Sequence, residues 1–417
     1  MNAEVVLPRR LARATATLFG GNLAMLAIQT LQFVLLARWL GVASFGRVAA
    51  ANALIAIAIP LAGLGYGNLL LLRVSRDRAA APAEWGNALV AVLVMGSVLA
   101  GAAATIAWGA FNSAGAVALV ATMAVSELIF VRSVSLLGQL YQAMDRVEVT
   151  SALNIAIASC RVTAVLAMMA IGAQEPIVWA ITSCALTLLL ALVANGVAMR
   201  MIGAAVSLPR LWADKRDALH FSLGTGAKAF YTDFDKVVLA RTALSAELGA
   251  YTAAYRLVTM AFLPVRSLLD ASASQFFRHG GDGIAHSNAF ARRVLKIALP
   301  CGLAGGVLIL LAAQIAPLVL GPSYQSAAPM LRVLALLPVI QSIHYVYSDA
   351  LTAAGFQELR TRLQWLVAAV YAVLAFALVP DFGWRGAVAV CLVSEFLLAV
   401  LVVLAVRRRL RRGQARS

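Results

Sequence analysis

Ionisable side chains recur in this 417-residue chain inside stretches that are otherwise apolar, and these are the residues whose types could do chemistry. The cations so placed are Arg132, Arg161, Lys228, Lys236, Arg256, Arg266 and Arg332. The carboxylates are Glu127, Asp233, Asp235, Asp349 and Glu395, with Asp270 near the edge of its stretch. A charge at the centre of a bilayer costs at least about 2.5–3.5 kcal/mol on insertion scales, so each should face a protein interior and have a partner or a role. Cations outnumber carboxylates slightly, which predicts an anionic cargo. Lys228, Arg161 and Arg256 are expected to form a cationic patch for a phosphate or pyrophosphate, with Arg132 as a further contact. Asp233, Asp235, Glu127 and Glu395 are the candidates for ion coupling or charge balance, because a carboxylate within the membrane can exchange a proton between two access states. His344 could titrate as well, although a lone histidine is more often a hydrogen-bonding helix-packing residue. The alternative for all of these groups is internal pairing, such as Lys236 with Asp233 or Arg266 with Asp270.

The elements that must position these groups follow from composition. The chain is 62% hydrophobic and 12% charged, against roughly 45–50% and ~25% in ordinary soluble domains. Apolar runs of about twenty residues, the length that crosses a bilayer as a helix, recur throughout. They predict an all-α polytopic membrane protein with about twelve spans, near 15–38, 46–67, 87–110, 116–139, 150–172, 177–200, 220–241, 249–271, 293–316, 329–353, 362–380 and 384–406. In the seventh, Lys228, Thr232 and Asp235 stand at i, i+4 and i+7 on one face, with Asp233 and Lys236 beside it. Such a face is not expected to point at lipid. So many spans leave no room for a separate catalytic domain.

The net charge of +16 would suggest nucleic acid in a soluble protein; here its distribution matters more. Arg9, Arg10 and Arg13, then Arg73, Arg76 and Arg78, the segment 200–216, Arg292, Arg293 and Lys296, and the tail from Arg407 to Arg412 all fall on one side of the predicted spans. Only Arg38, Arg47, Arg241 and Arg385 fall on the other. The positive-inside rule makes the first side cytoplasmic and places both termini there. The N-terminal apolar run is too long for a signal-peptide core and has no small-residue cleavage site, so it is expected to remain as the first span. Cys160, Cys184, Cys301 and Cys391 lack metal-site spacing, and neither zinc nor a disulfide framework is predicted. There is no phosphate loop, no H-E-x-x-H and no nucleophile elbow, so no cofactor and no enzymatic activity are expected.

An internal repeat organises the chain. Residues 36–52 align without gaps on residues 239–255, with seven of seventeen positions identical, among them Leu36, Ala37 and Arg38 on Leu239, Ala240 and Arg241, and Gly46 on Gly249. At the same offset Asn22, Gln29 and Gln32 fall on Thr225, Thr232 and Asp235, so polar positions inside the membrane coincide too. Six spans separate the copies, so both enter the membrane in the same direction. Two six-helix bundles related by a pseudo-two-fold along the membrane normal are predicted. The expected divisions are an N-terminal lobe over 1–203, a cytoplasmic connector over 204–219, a C-terminal lobe over 220–406 and a basic tail over 407–417.

Two segments carry a family likeness. The pattern Ala37-Arg38-x-Leu40-Gly41-x-x-x-Phe45-Gly46 resembles the N-terminal signature of the Wzx-type polysaccharide biosynthesis flippases. Asp233-x-Asp235, followed by Gly249-x-Tyr251-x-x-Ala254, is similar to that family's second-half counterpart. The resemblance implies membership of the multidrug/oligosaccharidyl-lipid/polysaccharide (MOP) exporter superfamily and movement by alternating access. It implies as cargo a polyprenyl-pyrophosphate-linked saccharide, turned across the bacterial inner membrane for O-antigen, capsule or exopolysaccharide export. Membrane lipid, and a polysaccharide polymerase or glycosyltransferase, are the implied partners, and nucleic acid is not. Two other readings compete: a cation-coupled multidrug exporter of the same superfamily, and a membrane-embedded polymerase or ligase. The latter usually needs a large outer loop, which the sequence does not provide.

Overall fold

A computed structural model describes residues 9–242 and 245–414. Within these helices some side chains, including those of Asn22, Thr225 and Lys228, lie outside the described residues. Every regular element among the described residues is helical. The chain forms two compact units, one of residues 1–40 and 51–226 and the other of residues 41–50 and 227–417.

The first unit begins with α1 (Arg9–Ala58), which is continuous in hydrogen bonding but broken in direction at Gly41, where φ is 71° and ψ 169°. A side chain rarely tolerates that φ, and this is why the fixed Gly of the Leu40-Gly41 signature stands there. Next come α2 (Tyr66–Arg76), α3 (Ala81–Phe111), α4 (Ala114–Val125), a π-helical turn at Ser126–Val131, α5 (Arg132–Ala143), α6 (Val147–Ala170) and α7 (Pro176–Met201). After a short irregular stretch, α8 (Leu208–Thr242) runs from this unit into the second, so most of the segment expected to be a connector is helical and continuous with the next span.

Burial in α7 is the reverse of a water-soluble helix. Small or polar Ser183, Thr187 and Ala191 are buried, whereas Ile181, Leu189, Leu192 and Val193 are more than half exposed. Lipid is as apolar as leucine, so packing selects small side chains for the interior and leaves bulky ones to the acyl chains. At one end of the unit, polar clasps tie the shorter elements together. Arg73 of α2 donates to both carboxylate oxygens of Asp214 on α8, at 2.5 and 2.7 Å, and lies 3.3 Å from Glu84 of α3. The Tyr66 hydroxyl donates to the Leu211 carbonyl. Hydrogen bonding to Asp214 pushes the Arg73 pKa up.

The second unit contains α9 (Ser245–Ala261), α10 (Leu263–Gly281), α11 (Ile284–Leu320), α12 (Ala327–Leu334), α13 (Leu337–Ala353), α14 (Gln357–Phe382) and α15 (Trp384–Gln414). Its core gathers Leu239, Tyr251, Leu331, Leu351, Tyr371 and Val402, all essentially inaccessible. Residues 41–50 belong to this unit because they pack on α9: Gly46 and Gly249, equivalent positions of the sequence repeat, approach so closely that neither has room for a Cβ. That is the small-residue contact by which membrane helices bring their backbones together.

The chain is thus an all-α, multi-pass membrane protein. Among the described residues, eight helices are long and apolar enough to cross a bilayer, and the bent pair α12–α13 makes a ninth. Two features account for the difference from about twelve predicted spans. α1 counts once although it is broken at Gly41, and α8 to α10 fall short of a span, α9 because it is only 17 residues long and α8 and α10 because of the charged residues they carry.

Candidate functional site

Two clusters gather most of the candidate site charges, one in each unit. In the first unit the π-helical turn Ser126–Val131 displaces Glu127 from the regular helical register. Single π turns of this kind are frequent at functional positions. Both Glu127 oxygens accept from one nitrogen of Arg161 on α6, at 2.5 and 2.7 Å, and both side chains are about one-fifth exposed. Beside them the Ser126 and Thr187 hydroxyls share a hydrogen bond of 2.9 Å. Arg132 follows the π turn directly and is half-buried against Gly63. It makes no ion pair among the described residues.

In the second unit α8 brings Asp233, Asp235 and Lys236 against α9, α14 and α15. Asp235 is inaccessible, yet its carboxylate is fully engaged. It accepts from the hydroxyls of Tyr251 and Tyr371 and, at 2.8 Å, from the Lys236 backbone N–H. Lys236 Nζ donates to Asp233 at 2.8 Å and to the Thr232 carbonyl at 2.5 Å, lies 3.9 Å from Asp235, and rests 4.3 Å over the Tyr255 ring. A buried charge is tolerable only when paired and hydrogen-bonded, and here two carboxylates, one ammonium and three tyrosines meet that condition. Deeper in the same unit, Glu395 of α15 accepts from Gln341 Nε2 at 3.1 Å and lies 2.8 Å from His344 Nδ1, both on α13.

Set against the sequence, the pairing of Lys236 with Asp233 and of Arg266 with Asp270, at 3.3 Å, is present. Arg161 carries a counter-charge, Glu127, that spacing did not reveal. Arg256 is exposed on α9, and the Lys228 side chain lies outside the described residues. Sequence reasoning passed over the roles of Tyr251 and Tyr371 and the meeting of His344 with Glu395. Tyr251 at least had a signal, since it is the tyrosine of the second-half motif two residues after Gly249.

The family described as polysaccharide biosynthesis protein matches residues 11–274. Among curated protein sequences no match is found. Among solved structures, an inward-facing multidrug resistance MATE family transporter of the MOP superfamily superposes with a TM-score of 0.73 at 18% identity, covering 95% of this chain and 99% of that one. An outward-facing structure of such a transporter gives 0.65 at 16% identity, with 97% of each chain covered. A MOP superfamily transporter from Pyrococcus furiosus, described as having a binding pocket of reverse polarity that suggests a different function, gives 0.64 at 17% identity and 95% coverage of each chain. At such identities the likeness establishes a shared fold.

Proposed function

The chain belongs to the polysaccharide biosynthesis protein family, and from that membership we propose that it is a flippase for a polyprenyl-pyrophosphate-linked oligosaccharide. The reading places it in a bacterial inner membrane with both termini cytoplasmic, as the charge bias favours. The family match carries this reading, and Arg132 gives it a first residue. A guanidinium kept half-buried in a membrane protein without a carboxylate partner among the described residues is costly unless an anion arrives to meet it, and the diphosphate of such a lipid is that anion. Its planar fork suits bidentate contact with phosphate oxygens. Lys228 and Arg256 remain candidate contacts for the headgroup, and Arg161 contributes together with Glu127 as a pair. Asp233, Asp235 and Glu395 then balance charge or couple the cycle. The lipid tail stays in the bilayer, so only the headgroup needs a polar route.

A second reading, export of cationic drugs, rests on the fold shared with multidrug transporters. Complementation separates the two in cells that lack every other flippase. In the flippase reading Arg132→Gln stops export and lipid-linked intermediate accumulates on the cytoplasmic leaflet, while drug susceptibility is unchanged. Full polymer export by Arg132→Gln together with neutralised Lys228 and Arg161 would reject the cargo site. Drug sensitivity on deletion with normal polymer export would reject the flippase reading itself.

A further inference from the structure

The second unit holds a cavity of about 220 Å³ apart from the clusters above, where one face of α10, from Arg266 to Phe277, and the C-terminal half of α13 meet the first turn of α14. Four charged side chains line it in alternating sign. Arg266 and Asp270 on α10 form a pair at 3.3 Å, and Asp349 on α13 stands 3.7 Å from Arg360 on α14. Both guanidiniums act on Asp349, so the four charges share one field. Arg360 is anchored by donating to the Thr352 hydroxyl at 2.7 Å, yet its buried Nε has no hydrogen-bond partner among the described residues. Tyr345 forms an aromatic wall, with the Arg266 guanidinium 5.9 Å from its ring centre.

A wall of two cations and two carboxylates is neutral as a whole and polar in every part. A lone anion would meet Asp349 and Asp270, and a lone cation would meet the arginines. A ligand carrying both charges satisfies all four. The loose 3.7 Å pair leaves the Arg360 guanidinium able to donate to phosphate oxygens, while the carboxylates accept N–H bonds from an ammonium. The cavity is smaller than the roughly 300–1,000 Å³ typical of drug-sized ligands, so it suits a headgroup and not an oligosaccharide. Phe277, 61% exposed, borders it and offers an apolar surface to acyl chains.

We propose that this cavity binds a zwitterionic phosphodiester with a primary amine, the ethanolamine phosphate headgroup, with phosphate on Arg360 and Arg266 and ammonium on Asp349 and Asp270. The site is independent of the flippase reading. Its test uses the full chain, delipidated in detergent and then given phosphatidylethanolamine, phosphatidylcholine, phosphatidylglycerol or soluble glycerophosphoethanolamine, with retained ligand counted by native mass spectrometry and protection followed as a rise in Tm. Phosphatidylethanolamine should be retained and should protect, phosphatidylcholine should bind more weakly because its quaternary amine donates no hydrogen bond, and phosphatidylglycerol should not protect. Asp349→Asn with Arg360→Gln should weaken retention at least tenfold. Arg266→Gln with Asp270→Asn, on the exposed rim where folding is not at stake, should weaken it severalfold. Protection by glycerophosphoethanolamine alone would assign a soluble source for the headgroup, and protection only by the intact lipid would assign the bilayer. Equal retention of phosphatidylglycerol, or unchanged retention in both double variants, would overturn the proposal.

Discussion

Gly46→Ala adds a single methyl group to the helix contact that joins the two copies of the repeat motif. A Cβ built at Gly46 lies 1.7 Å from the Ser245 carbonyl oxygen and 2.6 Å from its carbon, with the Gly249 nitrogen at 3.0 Å. All three are backbone atoms, so no side chain can rotate away. Restoring ordinary contact requires α9 to retreat by roughly 1.7 Å, which opens the packing of Leu248 and Tyr251 behind it. Overpacking of this kind costs about 1–3 kcal/mol, and at about 2–4 °C per kcal/mol for a unit of this size the Tm should fall by roughly 2–12 °C. The assay is thermal unfolding of the purified protein, monitored by tryptophan fluorescence, beside Gly101→Ala. At Gly101 on α3 a Cβ meets nothing within 4 Å, and alanine's higher helix propensity should leave Tm unchanged or slightly raised. If Gly46→Ala and Gly101→Ala melted together at the wild-type temperature, the argument from backbone contact would be wrong.

Other outcomes follow from the polar clusters. Arg161→Gln or Glu127→Gln alone should destabilise by about 1–3 kcal/mol, below the ~3–5 kcal/mol of a fully buried pair because both groups retain some water, and the double variant should cost less than the sum of the singles in a double-mutant cycle on Tm. Asp235→Leu should leave Lys236 short of charge and the Tyr251 and Tyr371 hydroxyls without their acceptor, costing about 3–5 kcal/mol; normal yield and melting of the purified variant would contradict the role assigned to that carboxylate. Tyr66→Phe removes one hydrogen bond to Leu211 and should cost about 1 kcal/mol, seen as a small drop in Tm with export intact.

Composition and charge placement by themselves determined that this is an all-helical membrane chain, because a bilayer admits few spanning architectures and taxes every polar residue the same way wherever it sits. The signature glycines and the second-half Asp and Tyr motif were likewise legible, since backbone geometry at Gly41 and the register of one helix are local matters. Pairing was not local. Glu127 reaches Arg161 across 34 positions and Gln341 reaches Glu395 across 54, and the rotation of each helix about its axis, which no single segment specifies, decides who faces whom. For the same reason sequence could name Arg132 and Arg161 as candidate contacts of one cargo, and only the packed bundle distinguished the one joined to a carboxylate from the one with no carboxylate partner among the described residues. The near contact of Gly46 with Gly249, 203 residues apart, shows the limit most plainly: the repeat announced that the two positions correspond, but the close approach of two backbones made them touch.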